Sequence, residues 1–355
     1  MRTMLWRCGG ALMCAGLLMV AAGCGGSPSA SSAVLPPLVP DPVAAGAALT
    51  SPAPILLGGE GHWDLLCIDP YARRLYLARS SRVMVVDLKT GKLAGELQGV
   101  DGAHGVALDL ERDEGFASAG NLNQLLVFDL KTLTITHRIA VGDKPDAVLY
   151  DPFTRKVFCM NHAGGTVSIV DPAQPDAPPQ TVEVGGTLEL AASDGRGRVY
   201  VNVEDKSEVA VIDAAAGKVV ARWPLTPGEE PTGLAIDPVH GRLFAGCHNQ
   251  KMIVLDTTKG TVVGETPVGN GVDGIAWDAA LAEVVVPNGK DGTVTVIRAD
   301  PDGSYRVVQT LATAAGARTI GLNPVSHRFY LPCDVPAGEG GTATFGLIVV
   351  GPGKH

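Results

Sequence analysis

Tyr150-Asp151-Pro152, Val157-Phe158-Cys159, Ile169-Val170-Asp171 and Glu183-Val184-Gly185 succeed one another along one short stretch of the chain. Each is a small apolar segment, mostly β-branched or aromatic, closed by residues that favour turns, which reads as a short strand and a tight turn. The first element recurs as Ile68-Asp69-Pro70, Leu108-Asp109, Ser193-Asp194-Gly195, Ile236-Asp237-Pro238, Trp277-Asp278 and Leu322-Asn323-Pro324, at intervals of 40 to 45 residues. The second recurs as Leu75-Tyr76-Leu77, Gly115-Phe116-Ala117, Val199-Tyr200-Val201, Leu243-Phe244-Ala245, Val284-Val285-Val286 and Phe329-Tyr330-Leu331. The third recurs as Val85-Val86-Asp87, Val127-Phe128-Asp129, Val211-Ile212-Asp213 and Val254-Leu255-Asp256, and the fourth as Ala140-Val141-Gly142 and Pro267-Val268-Gly269. Four short strands in a repeat of this length are the signature of a propeller blade. One twisted four-stranded sheet cannot bury both faces, whereas blades packed face to face around an axis can. The expected fold is all-β: a seven-bladed β-propeller with four antiparallel strands per blade.

The chain ends refine this expectation. The last repeat supplies strands near Thr319–Leu322, Phe329–Leu331 and Phe345–Val350 and then lacks a fourth, while Ile55-Leu56-Leu57-Gly58-Gly59 precedes the first complete repeat. The N-terminal strand is therefore expected to complete the C-terminal blade and close the ring, which places the propeller at residues 55–355.

Residues 1–23 read as a lipoprotein signal peptide. Arg2 and Arg7 form a positive start, and Ala11 to Ala22 is an apolar run too short to span a bilayer comfortably. Ala21-Ala22-Gly23-Cys24 resembles a lipobox, with Cys24 the lipidation site; Ala21 stands where a larger aliphatic residue is usual. Residues 24–54, rich in Ser, Ala and Pro without periodicity, read as a lipidated flexible tether. These features predict a cell-envelope protein held to the membrane by its lipid, at the outer membrane or facing the periplasm in a Gram-negative cell.

The 355 residues carry 45 glycines, 25 prolines and a formal net charge of −9. Many turns fit many short strands, and the acidic balance disfavours nucleic acid as a partner, because phosphate neutralisation needs Lys and Arg. Cys67, Cys159, Cys247 and Cys333 show no metal-type spacing and read as small strand residues without a bridge.

Pro231-Thr232-Gly233-Leu234-Ala235, Val199-Tyr200-Val201-Asn202 and Asp87-Leu88-Lys89-Thr90-Gly91 carry a further reading. These blades resemble the YVTN-repeat family, including YncE-like proteins, over Ile55 to about Gly351. The resemblance implies the propeller fold. It leaves function open, since propellers of this kind serve as surface proteins, binding scaffolds, nucleic-acid binders and enzymes.

In a propeller the first strand of each blade lines the central channel. The residue five positions before each turn acid opens that strand, giving Asp64, His104, Asp146, Glu189, Thr232, Asp273 and Arg318. Superposed by the repeat, these side chains are expected to meet at one channel mouth, the predicted ligand-binding site. Convergent carboxylates repel one another unless a cation, Arg318 or a protonated His104 offsets them. Asp64, Asp146, Glu189 and Asp273 are hard oxygen ligands of the kind that would take Ca or Mg; a hydrated funnel with its acids paired to Arg318 or water is the alternative, and no other cofactor is expected. The loops between second and third strands share this face, and among them His162 and His248 could add a ligand or a base. Strand aromatics such as Tyr200 read as core. No Cys-x-x-Cys-His or Gly-x-Ser-x-Gly is present, and no Ser-His-Asp order is convincing. The leading reading is a monomeric, nonenzymatic binding or interaction scaffold whose mouth holds a small ligand or a protein partner. The alternative is a metal-dependent enzyme, lactonase- or lyase-like, using the acidic ring.

Overall fold

The computed structural model describes residues 35–336 and 341–353. The segment 1–23 and Cys24 lie outside the described residues. The described residues belong to one compact unit.

The architecture follows from strands that are apolar on both sides. In Lys156–Asn161, Val157 and Cys159 pack with Phe116 and Val127 of the preceding repeat. Phe158 and Met160, pointing the other way, pack with Val199 and Val201 of the following one. Successive side chains leave a strand on opposite faces, so a strand buried between two sheets reads as an unbroken apolar run. The same sharing joins Tyr200 and Val211 to Leu243 and Ile253, and Phe244 and Val254 to Val284 and Ile297. Each fully buried Phe or Leu removed from water stabilises the stack by roughly 1.5–3 kcal/mol.

Among the described residues the hydrogen-bonded ladders form six sheets, not the expected seven, all antiparallel between neighbouring strands. Four of them hold four strands each in chain order, as in Pro145–Asp151, Lys156–Asn161, Thr166–Val170 and Gln180–Glu183. The first two repeats merge into one six-stranded sheet through two long strands, Arg74–Asp87 and Lys92–Asp109. The reason is local. The connection Arg79-Ser80-Ser81-Arg82 is too short to leave the ladder, so the chain passes through a bulge in which Ser80 pairs with Ala103 and Arg82 with Gln98. Seven sequence repeats are thus distributed over six sheets.

The closure differs in a related way. Ile55–Leu56 does pair with the last long strand, Thr344–Pro352, through Ile55↔Leu347 and Leu56↔Gly346. This completes the last sheet, yet among the described residues no strand ladder joins that sheet to the first one. The seam is held by packing of Leu75, Leu77 and Met84 against Tyr330, Phe345 and Leu347. Arg79 locks it: its buried guanidinium lies 3.4 Å from the Phe345 ring centroid and donates to the carbonyls of Gly59 and Glu60.

Residues 35–54 are not a loose tether throughout. Leu49–Thr50 pairs with Pro352 and Gly351, Leu49 is buried, and Asp41 bonds Val325 through its N–H and His327 Nε2 through its carbonyl, at 2.7 and 3.1 Å. The turns that follow the first strands, where Val325 and His327 sit, lie on the face opposite the strand openings.

The repeated acid at the end of the first strand clamps its own turn. Asp69 Oδ1 accepts from the N–H groups of Tyr71 and Ala72, Asp237 Oδ1 from Val239 and His240, and Asp278 Oδ1 from Ala280 and Leu281. Asn323 does the same for Val325 and Ser326. A carboxylate that satisfies turn amides in this way explains both its recurrence and its near-complete burial.

Candidate functional site

The first strands open toward a common mouth, and the side chains there form an ordered run of alternating charge. Arg318 Nε lies 2.5 Å from Asp273 Oδ2, and its Nη2 lies 3.7 Å from Asp64 Oδ1. Asp64 Oδ2 accepts from His104 Nδ1 at 2.7 Å, and the same nitrogen stands 3.7 Å from Asp146 Oδ1. Asp146 Oδ2 is 3.8 Å from His162 Nδ1, which is 3.1 Å from Glu189 Oε1. His162 Nδ1 also has the Leu188 carbonyl at 3.1 Å. Six of the seven residues singled out by repeat position therefore belong to one network. The seventh, Thr232, is buried, and its hydroxyl donates to the Val272 carbonyl.

The electrostatics follow from partial burial of this network. Burial, reinforced by the charges of Asp64 and Glu189, pushes the Asp146 carboxyl up to about 7. The hydrogen bond to Glu189 pushes His162 up to about 9, against its burial. The bond to Asp64 raises His104 in the same way. Burial raises Glu189 and Asp273 in spite of their cationic partners. Burial opposes the Arg318 charge, but Asp273 and Asp64 outweigh it and raise its value. Like charges brought out of water are tolerated here because protons and Arg318 alternate with them.

Beside this network, and sharing Glu189, Asp273 and Arg318 with it, the mouth widens into a cavity of about 710 Å³ also lined by Glu204, His248 and Lys290. His248 Nδ1 stands between Glu204 and Glu230, at 3.7 and 3.5 Å. A second hollow of about 400 Å³ reaches Asp64 and His104 from the side of Trp63 and Asn121.

Two features were not accessible to position counting. His162 enters the network from a loop between strands, and only its place on the mouth face marked it. Asp273 is tied to Arg318, so it does not join the other carboxylates as an oxygen ligand. Two groups of ligand-type atoms remain, Asp64 with His104 and Asp146, and Asp146 with His162 and Glu189, each with its atoms within 4.8 Å of one another. Among the described residues no serine, threonine or cysteine side chain hydrogen-bonds to His104, His162 or His248. The four described cysteines are free, and burial raises the thiol values of all of them.

The fold and mouth define a β-propeller with a polar channel opening. A chain of Kuenenia stuttgartiensis hydrazine synthase superposes with a TM-score of 0.67 at 15% identity, covering 78% of this chain and 92% of that one. A chain of the mitotic checkpoint complex does so with a TM-score of 0.68 at 13% identity, covering 93% and 98%. At such identities the likeness establishes the β-propeller fold alone. No family model matches the sequence, and no curated protein does.

Proposed function

We propose that this protein is a cell-envelope lipoprotein of the YVTN-repeat type, lipidated at Cys24, that acts as a nonenzymatic binding scaffold through the mouth of its propeller. The observation that carries this reading is the convergence of Asp64, His104, Asp146, Glu189, Asp273 and Arg318 beside one open cavity. Ligand sites are concave, with a few polar groups placed to fix orientation, and this mouth supplies such groups of both signs. The network lacks a nucleophile paired with a base, which favours binding over covalent catalysis. Pro36 and Asp41 lie at the opposite face, where Tyr71 Oη donates to the Pro36 carbonyl and His327 meets Asp41.

The test is site-specific photocrosslinking in the producing cell. A photoreactive residue replacing Lys290 at the mouth should trap a discrete partner or ligand, and one replacing Lys131 on the opposite face should not. The combined substitutions Glu189→Ala and Asp273→Ala should abolish the Lys290 adduct. Adducts from Lys131 alone, or an unchanged Lys290 adduct in the double variant, would refute the reading.

A further inference from the structure

The geometry points to a metal site in this mouth: two three-ligand half-sites for divalent first-row transition metals, sharing Asp146. The inference deepens the reading of the mouth as a binding face and names the chemistry of what it holds first.

Distances carry the argument. With metal–nitrogen and metal–oxygen bonds near 2.0–2.2 Å, two ligand atoms on one tetrahedral ion stand about 3.4 Å apart. The contacts Asp64–His104, His104–Asp146, Asp146–His162 and His162–Glu189 measure 2.7, 3.7, 3.8 and 3.1 Å, which bracket that separation. Seating an ion in either group asks for side-chain rotations that bring these separations toward about 3.4 Å. The remaining distance in each triad is also within 4.8 Å.

Asp146 supplies an independent sign. Its Oδ1 faces His104 and its Oδ2 faces His162, and neither oxygen accepts a hydrogen bond from any described donor, although its side chain is only 23% exposed. The other carboxylates of the run each have a close partner: Asp64 has His104, Glu189 has His162, and Asp273 has Arg318. A carboxylate poised between two imidazoles with both oxygens free is the arrangement a bridging ligand requires.

Ligand type selects the metal. Each half-site offers one imidazole nitrogen and two carboxylates, a set suited to Zn²⁺, Co²⁺ or Mn²⁺, whereas Ca²⁺ and Mg²⁺ ask for oxygen alone. Three protein ligands on a half-open site leave a coordination position for water or a bound molecule. Arg318, tied to Asp273, lies beside the first half-site and limits the net charge there.

The test uses the full-length chain without a polyhistidine tag, stripped with a chelator in detergent and dialysed separately against Zn²⁺, Co²⁺, Ca²⁺ and Mg²⁺. Elemental analysis should find two Zn²⁺ or Co²⁺ per chain at saturation. His104→Ala or His162→Ala should each retain one ion, and Asp146→Ala none, with Asp146→Asn as the shape-preserving control that also binds none. Circular dichroism and melting of each variant keep loss of ligation apart from loss of fold. Absence of transition-metal uptake, uptake retained without the Asp146 carboxylate, or preference for Ca²⁺ would overturn the proposal. Metal content and Lys290 crosslinking are separate readouts, so loss of metal binding with the adduct intact fails this inference alone, and the converse fails only the scaffold reading.

Discussion

Replacing Asp151 by alanine should lower stability by about 4 kcal/mol, and the number can be built from its contacts. Asp151 is fully buried. Its Oδ2 accepts from the Thr154 N–H and hydroxyl at 2.9 and 2.6 Å, and its Oδ1 accepts from Ser193 Oγ of the next repeat at 2.5 Å. Hydrogen bonds to a charged acceptor contribute about 1.5–3 kcal/mol each, and a donor stranded in a buried place costs about 1–3 kcal/mol. The two hydroxyls can turn toward water, but the Thr154 amide cannot, so the loss falls nearer the sum of two bonds than of three. For a domain of this size about 2 °C of melting temperature is lost per kcal/mol, extrapolating the size trend, so Asp151→Ala should melt about 8 °C below the parent. Guanidinium titration and calorimetry would measure it. Asp151→Asn keeps one acceptor oxygen and should lose about half as much. Asp87→Ala removes the same kind of clamp, on the Lys89 and Thr90 amides, from an exposed turn where water substitutes, so its effect should be distinctly smaller. If Asp151→Ala were no worse than Asp87→Ala, the repeated first-strand acid would not be the buried turn clamp described above.

Three further outcomes are expected. Asp87, Asp129 and Asp213 are held below the usual carboxylate range chiefly by turn amides, and Asp256 is held low by its turn amides and Arg242 against its burial. Their stabilisation is therefore present above the ordinary aspartate value and lost as pH falls through the lower folded values; changing all four to Asn should flatten the pH dependence of unfolding below about pH 4. Leu49→Ala should cost about 2–5 kcal/mol in chemical denaturation, because Leu49 is buried beside the last sheet, and an unchanged midpoint would return this segment to a loose tether. Arg79→Met removes the guanidinium from Phe345 and from the carbonyls of Gly59 and Glu60, so amide exchange at residues 55–60 should quicken at least about tenfold, equivalent to about 1.4 kcal/mol of local opening.

Much of the mouth was legible because it sits at a constant offset within the repeat. Counting five residues back from each turn acid reached Asp64, His104, Asp146, Glu189, Asp273 and Arg318, which are distant in sequence and joined in one network. The same count reached Thr232, whose type alone did not reveal that its hydroxyl is spent on Val272. The merging of the first two repeats left one trace, the shortest interval of the series, 40 residues between Asp69 and Asp109. The burial of Leu49 and the Asp41–His327 contact left none, since their partners lie 260 residues or more further along the chain.

By itself the sequence determined the repeat: its apolar strand segments, which faces of them are apolar, and which acid clamps each turn. These depend on neighbours within one repeat, and alternation and turn chemistry encode them locally. The tertiary structure alone decided that two repeats share one sheet, that packing and Arg79 rather than a ladder hold the seam, and that Asp273 pairs with Arg318 while Asp146 stands between two histidines. Those outcomes depend on distances of a few ångströms between side chains from different repeats, set by how the sheets stack around the axis, and no spacing along the chain specifies them.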